Sequence, residues 1–291
     1  MSTPVSLVLG ASGAIGRFLL PRLLRAEHRV FALSRKPQTE VPRLHWLTGD
    51  LFAAVPGLPR LDAIFSLGPL DGLAHWLAQA HFSGHPCVIA FGSTSIHSKR
   101  DSPDPDERAL VERLQQAENA MIAAAAQRGC AWTLLRPTLI YGAGLDRSLT
   151  PLARAGMRWR VFPRLPDAVG LRQPVHAEDL ASVCIRALHS ARGTGRRYTL
   201  GGAERLSFYA MLERVRRSLP VATLPLPLPL AAARVAVAGA RALGWRQLTV
   251  MSVARLQTDL IADNAAAESD LGWTPRSFEP DESCWSPPSL P

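Results

Sequence analysis

The 291-residue chain is short of several residue types, and each shortage excludes a class of protein. Its four cysteines lie far apart and form no CxxC pair, which argues against a disulfide framework and a cysteine-based zinc module. No apolar run reaches the roughly 18 residues that a transmembrane helix needs. The opening residues, MSTPVSLVLG, lack the basic segment of a secretory signal. We therefore expect a cytoplasmic protein with no membrane partner.

Lysine is almost missing, since Lys36 and Lys99 are the only two, and the formal net charge of +9 comes from scattered arginines. Because there is no basic run and no basic stripe interleaved with aromatics, the charge predicts no nucleic-acid partner. A small anionic ligand such as a phosphate remains compatible with it. His81 and His85 have helical spacing, but a glycine and a proline would interrupt a helix there, so no metal site is predicted.

What the chain does contain is an alternation of apolar strand-like runs and helical patterns over its first two thirds. Its composition is ordinary for a globular protein, with 47% hydrophobic and 20% charged residues. Strands are predicted at 5–10, 29–34, 43–47, 62–67, 87–92 and 131–137, and helices at 14–26, 71–83 and 106–128. Because the strands do not alternate apolar with polar residues, a parallel sheet covered on both faces is indicated. The predicted fold class is α/β, a doubly wound Rossmann-type sheet.

The rhythm changes after residue 137, which divides the chain into two predicted regions. We assign 1–140 to a dinucleotide-binding domain, with 171–201 returning to it. Residues 141–170 and 202–291 then form a smaller, mainly helical C-terminal lobe that would bind the substrate. Weaker strands are predicted at 171–175 and 196–201, and helices at 177–189, 207–219 and 230–260. LPLPLPL at 224–230 has proline at every second position and is predicted to be an extended spacer.

The stretch LVLGASGAIGRFLL carries the clearest functional signal, because three glycines follow a buried strand and open a helix. Gly10 permits the tight turn, Gly13 lets the backbone approach a pyrophosphate, and Gly16 lets the helix pack on the strand. The helix N terminus adds free N–H groups and a positive dipole end for phosphates. The cofactor-binding residues predicted here are Gly10, Ser12, Gly13, Ala14, Ile15 and Gly16.

The end of the second predicted strand indicates which dinucleotide binds. Where an acidic residue would hold the ribose 2′-hydroxyl of NAD, the chain has Ser34, Arg35 and Lys36. A carboxylate would repel a 2′-phosphate, whereas a guanidinium binds it through charge-assisted hydrogen bonds. These three residues are added to the cofactor site, and NADP is favoured over NAD. A solvated basic loop is the alternative.

Further motifs follow in chain order, and with them the glycine spacing GxxGxxG becomes specific. They are GDL at 49–51, FGSTS at 91–95, LRPTLIYG at 135–142, RQPVHAEDLA at 172–181 and LGWTPRSF at 271–278. With these motifs the chain resembles the short-chain dehydrogenase/reductase superfamily, in its extended or atypical NAD-dependent epimerase/dehydratase branch. The resemblance covers most of the chain. It is compatible with a homodimer, although the oligomeric state stays open.

The resemblance implies further cofactor contacts along the carboxyl edge of the sheet. The residues that it implies are Asp50, Leu51, Leu67, Gly68, Pro69 and Pro137. The first two would contact the adenine, the next three would border the nicotinamide ribose, and the last would meet the nicotinamide carboxamide. Each follows a predicted strand, where open parallel sheets bind ligands. A turn or helix cap at Asp50 and plain turn chemistry at Gly68 are alternatives.

One element of the resemblance is absent, because no YxxxK occurs anywhere in the sequence. In the family, Ser or Thr holds the substrate oxygen, and a tyrosine passes the proton with its pKa lowered by the lysine. Ser93 and Thr94 match the first element. If Glu118 matches the glutamate that follows the family's lysine, the tyrosine and lysine positions fall on Leu110 and Leu114.

Tyr141, close after Pro137, is the candidate replacement acid, with an orienting or packing tyrosine as the alternative. The catalytic residues predicted are therefore Ser93, Thr94 and Tyr141. Asp179 is expected to cap or anchor a helix start, and His176 could face the substrate.

Two functions remain open at the level of the sequence. One is an atypical NAD(P)-dependent oxidoreductase or epimerase-like enzyme acting on a small molecule. The other is a non-catalytic NADP-binding sensor, regulatory or assembly protein.

Overall fold

A seven-stranded parallel sheet forms the centre of the protein in the computed structural model, which describes residues 3–52, 57–229, 232 and 256–291. The described strands are β1 (Val5–Leu9), β2 (Arg29–Ser34), β3 (Leu44–Thr48), β4 (Ala63–Ser66), β5 (Cys87–Phe91), β6 (Trp132–Pro137), β7 (Ile140–Tyr141), β8 (Val161–Arg164), β9 (Leu171–Arg172), β10 (Val175–His176), β11 (Arg196–Leu200), β12 (Leu206–Ser207) and β13 (Leu224–Pro227). In the central sheet the order is β11–β6–β5–β4–β1–β2–β3, and every pairing is parallel. The predicted fold class is confirmed.

Helices cover both faces of the sheet, with α1 packed beside α6 and α2 beside α4. The described α-helices are α1 (Ala14–Arg25), α2 (Leu70–Gln79), α3 (Ser95–Ser98), α4 (Pro105–Gln127), α5 (Leu149–Trp159), α6 (Ala177–His189), α7 (Phe208–Arg217) and α8 (Ala265–Leu271). Side chains of β1 alternate between two cores, because Val8 enters the core under α1 and α6 while Leu7 and Leu9 enter the core under α2 and α4. Two covered faces therefore explain the continuous apolar strands.

The C-terminal lobe has a core of its own, built on Tyr141, Phe162, Phe208 and Trp285. It is joined to the sheet by the segment after β6 and by β11, which lies next to β6 at the sheet edge. The proline-rich segment is extended as predicted, and its strand β13 pairs in parallel with β8. Most of the helix predicted at 230–260 lies outside the described residues.

The strand predicted at 171–175 differs in the structure. It is split into β9, antiparallel to β12, and β10, parallel to β7, and neither belongs to the central sheet. Pro174 lies between the two pieces and has no backbone N–H to donate to a ladder. The chain therefore turns there, and only β11 of the region 171–201 extends the sheet.

Candidate functional site

The turn between β1 and α1 needs glycine at the positions where the sequence has it. Gly10 has a φ of +78°, and a Cβ there would lie 3.1 Å from the backbone nitrogen of Gly68. At Gly16 a Cβ would come within 2.0 Å of the Ala11 carbonyl oxygen, so only glycine lets the helix approach the strand this closely. The roles predicted for these two residues are thus consistent with the backbone.

The N terminus of α1 is free to meet an anion. Its N-cap residue is Gly13, which has no side chain to accept from the first N–H groups, and the first helical turn holds no acidic residue. Gly10, Gly13, Ala14 and Ile15 line a cavity of about 460 Å³ at this end of the helix. Ser12 is half-buried in the same turn. An open helix end of this kind fits the diphosphate of a dinucleotide.

Two segments that follow β6 also line this cavity, which we call the dinucleotide groove. They are residues 138–140 and residues 145–148, with Leu67 as a further lining residue. The first segment follows Pro137 directly, as the resemblance implied for the nicotinamide end. The second had no sequence signal, because nothing in the letters LDRS indicates that they would face the glycine turn.

The end of β2 presents two unengaged cations. Ser34 is buried, and its hydroxyl oxygen accepts from the backbone nitrogen of Lys36 at 3.2 Å. The side chains of Arg35 and Lys36 are exposed and have no hydrogen-bond or ion-pair partner among the described residues. The Gly49 nitrogen donates to the Ser34 carbonyl oxygen at 3.0 Å, which brings the GDL motif alongside.

The GDL motif lies beside the end of β2. Asp50 accepts from the Phe52 backbone nitrogen at 3.0 Å, so the turn role left open for Asp50 is present, and its second carboxylate oxygen faces no described donor. Leu51 is buried, and a Cβ on Gly68 would lie 3.9 Å from its Cδ1. The ends of β1, β3 and β4 are thereby brought together. Pro69 is exposed and is the N-cap residue of α2.

The hydroxyls of Ser93 and Thr94, which are predicted to hold a substrate oxygen, differ in whether their proton is already donated. Thr94 donates its hydroxyl proton to the Pro137 carbonyl oxygen at 3.0 Å. The Ser93 hydroxyl oxygen accepts from the Ser95 nitrogen at 3.1 Å, which leaves its own proton available to a ligand. Both residues are half-buried, and neither is among the residues that line the dinucleotide groove.

The positions that match the missing pair lie on α4, where Leu110 and Leu114 are half-buried. Farther along the helix, Glu118 is buried and accepts two hydrogen bonds from the Arg136 guanidinium, one of them at 2.9 Å from Nε. The sequence indicated Glu118 only by its match to a family position. This ion pair ties α4 to β6.

Tyr141 is not among the residues that line the dinucleotide groove. It is 1% exposed and packs edge-on against His176 at 5.0 Å and Phe278 at 4.8 Å between ring centroids. Burial raises the pKa of its hydroxyl well above the ordinary value. It lines a second cavity of about 470 Å³ rather than the dinucleotide groove. The geometry argues against the acid role predicted for Tyr141 and favours the packing alternative.

His176 and Asp179 also serve the packing of the C-terminal lobe. His176, not Asp179, caps α6, since its Nδ1 accepts from the Glu178 nitrogen at 3.1 Å. Burial lowers the pKa of His176 to about 4. Asp179 instead binds Arg276, accepting from its backbone nitrogen and its Nε at 2.9 Å each. The closing motif LGWTPRSF is therefore anchored on α6, and His176 faces the second cavity.

Known proteins agree with this architecture. Residues 6–83 match the model of the NAD dependent epimerase/dehydratase family. The predicted resemblance is confirmed. An epimerase from Methanothermobacter thermautotrophicus has a similar structure, with 14% identity, a TM-score of 0.68, and coverage of 98% of this chain and 90% of that one. MoeE5, solved with UDP-glucuronic acid and NAD, has 16% identity, a TM-score of 0.69 and 97% coverage of both chains.

A third similar structure is the UDP-glucose 4-epimerase of Thermotoga maritima, with 14% identity, a TM-score of 0.67, and coverage of 97% of this chain and 96% of that one. At these identities the likeness to the solved structures shows the fold alone. No curated protein sequence matches the chain. In the part of the chain that the structure describes, no helix is both long and apolar enough to cross a bilayer. The same part holds no group of three or more His, Cys, Asp or Glu side chains suited to a metal ion.

Proposed function

We propose that the chain binds a nicotinamide dinucleotide in the dinucleotide groove and prefers NADP to NAD. The observation that carries this proposal is the N terminus of α1, which has neither a capping side chain nor an acid in its first turn and opens onto a cavity. Two findings support it: the matching family model is NAD dependent, and MoeE5 was solved with NAD. When bound, such a cofactor would supply hydride transfer.

In this proposal each part of the cofactor has its own residues. The diphosphate lies against the N–H groups of the glycine turn, with adenine beside the GDL motif and the nicotinamide end near Pro137. The residues proposed to hold the cofactor are Gly10, Ser12, Gly13, Ala14, Ile15, Gly16, Ser34, Arg35, Lys36, Asp50, Leu51, Leu67, Gly68, Pro69 and Pro137.

The preference for NADP rests on Arg35 and Lys36. Their side chains are exposed at the end of β2 without partners among the residues described, so both are available to a 2′-phosphate. The carboxylate that would hold a ribose 2′-hydroxyl is absent from this strand end. Ser34 is buried and contributes by fixing the turn, through its hydrogen bond from the Lys36 nitrogen.

The cofactor preference is tested with Arg35→Glu. We expect the Kd for NADPH to rise by roughly 10-fold or more while that for NADH changes little, because a carboxylate repels the 2′-phosphate. Isothermal titration with both dinucleotides measures this. Arg158→Glu, at an exposed position on α5, carries the same charge change and serves as the control. Equal weakening of NADPH and NADH by Arg35→Glu would reject the role of Arg35.

For the chemistry, we propose an atypical oxidoreductase or epimerase-like reaction on a small molecule. Ser93 is the residue proposed to hold the substrate oxygen, because its hydroxyl proton is uncommitted beside Pro137. Thr94, whose proton is donated to the Pro137 carbonyl oxygen, can only accept or support the loop. Neither Tyr141 nor a residue of α4 is proposed as the proton donor, so water would have to supply the proton.

The burial of Tyr141 and the leucines at positions 110 and 114 favour a second candidate function. The protein would then bind NADP as a sensor, regulator or assembly partner without turning over a substrate. Stopped-flow measurement of NADPH absorbance against quinones, enones and sugar nucleotides separates the two. Consumption of NADPH that Ser93→Ala reduces supports the enzyme. Tight binding of NADPH with no consumption across the panel supports the binder.

A further inference from the structure

The dinucleotide groove is almost free of charged side chains. Among the described residues that line it, only Asp146 and Arg147 carry charge, and both belong to the segment 145–148 that lines the groove together with the glycine turn. Arg147 is exposed and has no hydrogen-bond or ion-pair partner in the described part of the chain. Neither residue could be singled out from the sequence, because LDRS belongs to no motif of the resemblance.

Both carboxylate oxygens of Asp146 accept hydrogen bonds from the start of α5. One of its carboxylate oxygens accepts from the backbone nitrogens of Ser148, Leu149 and Thr150 at 2.9, 2.6 and 3.1 Å. The other accepts from the Thr150 hydroxyl. The negative charge therefore compensates the positive end of α5, as a capping carboxylate does.

The two helix ends at the groove are consequently different. The N terminus of α5 is capped by a carboxylate, whereas that of α1 has no cap and no acid. Arg147 is left as an uncompensated cation that lines the same cavity as the uncompensated end of α1. A single anionic group between them would be held from both sides, by backbone N–H groups and by a guanidinium.

We propose that Arg147 binds the nicotinamide-side phosphate of the dinucleotide and presses it against the N terminus of α1. The proposal rests on the proposed dinucleotide function. We choose the nicotinamide-side phosphate because the lining segments that include Arg147 begin at Thr138, directly after Pro137. In the expected cofactor orientation Pro137 meets the nicotinamide end, which lies far from the Arg35 end of the site. Arg147 and Arg35 would then bind two different phosphates of one ligand.

The test compares two ligands on three proteins. NADPH contains both phosphates of the diphosphate, whereas 2′,5′-ADP keeps the adenosine-side phosphate and the 2′-phosphate and lacks the nicotinamide-side phosphate. Titrations are made with the unchanged protein, Arg147→Gln and the control Arg158→Gln, which removes the same charge from an exposed position on α5. We expect Arg147→Gln to raise the Kd for NADPH by roughly 10-fold or more and to leave that for 2′,5′-ADP within about 2-fold.

Other outcomes overturn the proposal. An unchanged Kd for NADPH in Arg147→Gln would mean that the guanidinium binds nothing on the dinucleotide. Equal weakening of NADPH and 2′,5′-ADP would place the effect outside the nicotinamide-side phosphate. If the unchanged protein binds neither ligand, the proposed function itself fails, and Arg147 fails with it. Arg147→Lys adds a check, because a restored charge should recover part of the lost affinity for NADPH.

Discussion

At the scale of single residues, the sequence predicted local backbone needs better than it predicted side-chain surroundings. The glycines of the turn could be found because a positive φ and a close approach of backbone exclude other residues wherever the chain folds this way. The hydrogen bond of the Thr94 hydroxyl and the burial of Tyr141 could not be predicted from the sequence. The first depends on a partner 43 residues away, and the second depends on the packed C-terminal lobe. Arg147 was missed for the same reason.

His176 makes stability depend on pH. Burial lowers its pKa to about 4 in the folded protein, while an unfolded chain would have the usual value near 6.5. Between these values the unfolded state binds a proton that the folded state does not, so folding weakens as the pH falls from about 6.5 to about 4.

We expect His176→Asn to reduce this loss, because asparagine can still cap α6 but does not titrate. Urea unfolding of both proteins at pH 7.5 and pH 5 measures the effect, and the difference should be about 1–2 kcal/mol. His81→Asn, at an exposed position, is the control and should leave the pH dependence unchanged. Identical pH dependence in His176→Asn and the unchanged protein would show that His176 is not the group concerned.

At the scale of elements, the strands and helices of the first two thirds were predictable because burial on two faces leaves an uninterrupted apolar pattern. Val5–Leu9 and Ala14–Arg25 lie within a residue of their predicted bounds at 5–10 and 14–26. Short pieces such as β9 and β10 were not predictable, because two paired residues leave no periodicity to detect. Their partners also come from distant parts of the chain.

The start of α4 offers a test at this scale. Asp104 is its N-cap residue and accepts from the Asp106 nitrogen at 2.9 Å, ahead of Pro105 in the first turn. Asp104→Ala should lower the free energy of unfolding by about 1 kcal/mol, because the first N–H groups lose their acceptor. Urea denaturation measures this against Asp101→Ala, an exposed neighbour that caps nothing. Equal stability of the two variants would contradict the capping role.

At the scale of the whole molecule, the contacts between Asp179 and Arg276 hold the closing motif LGWTPRSF against α6. Asp179 is 8% exposed, whereas the Arg276 side chain is 44% exposed, so solvent screens part of the attraction. We expect Asp179→Asn to cost roughly 1–3 kcal/mol of stability, less than for a fully buried pair.

Thermal and urea unfolding of Asp179→Asn measures this loss. The control is Glu268→Gln on the exposed side of α8, which should stay within about 0.5 kcal/mol of the unchanged protein. A loss in Asp179→Asn no larger than that of the control would mean that Arg276 is held by its other contacts, such as Glu178 at 2.9 Å.

Residues 284–290 contact two parts of the chain that are synthesised much earlier. The Gly144 nitrogen donates to the Cys284 carbonyl oxygen at 2.8 Å, and Arg17 donates to the Pro288 carbonyl oxygen across 271 residues of sequence. Helix α1 is made early during translation, whereas its neighbours at 284–290 are made much later. A ribosome-bound chain stopped before residue 284 would therefore hold the glycine turn and the loop that carries Arg147 without the segment that braces both.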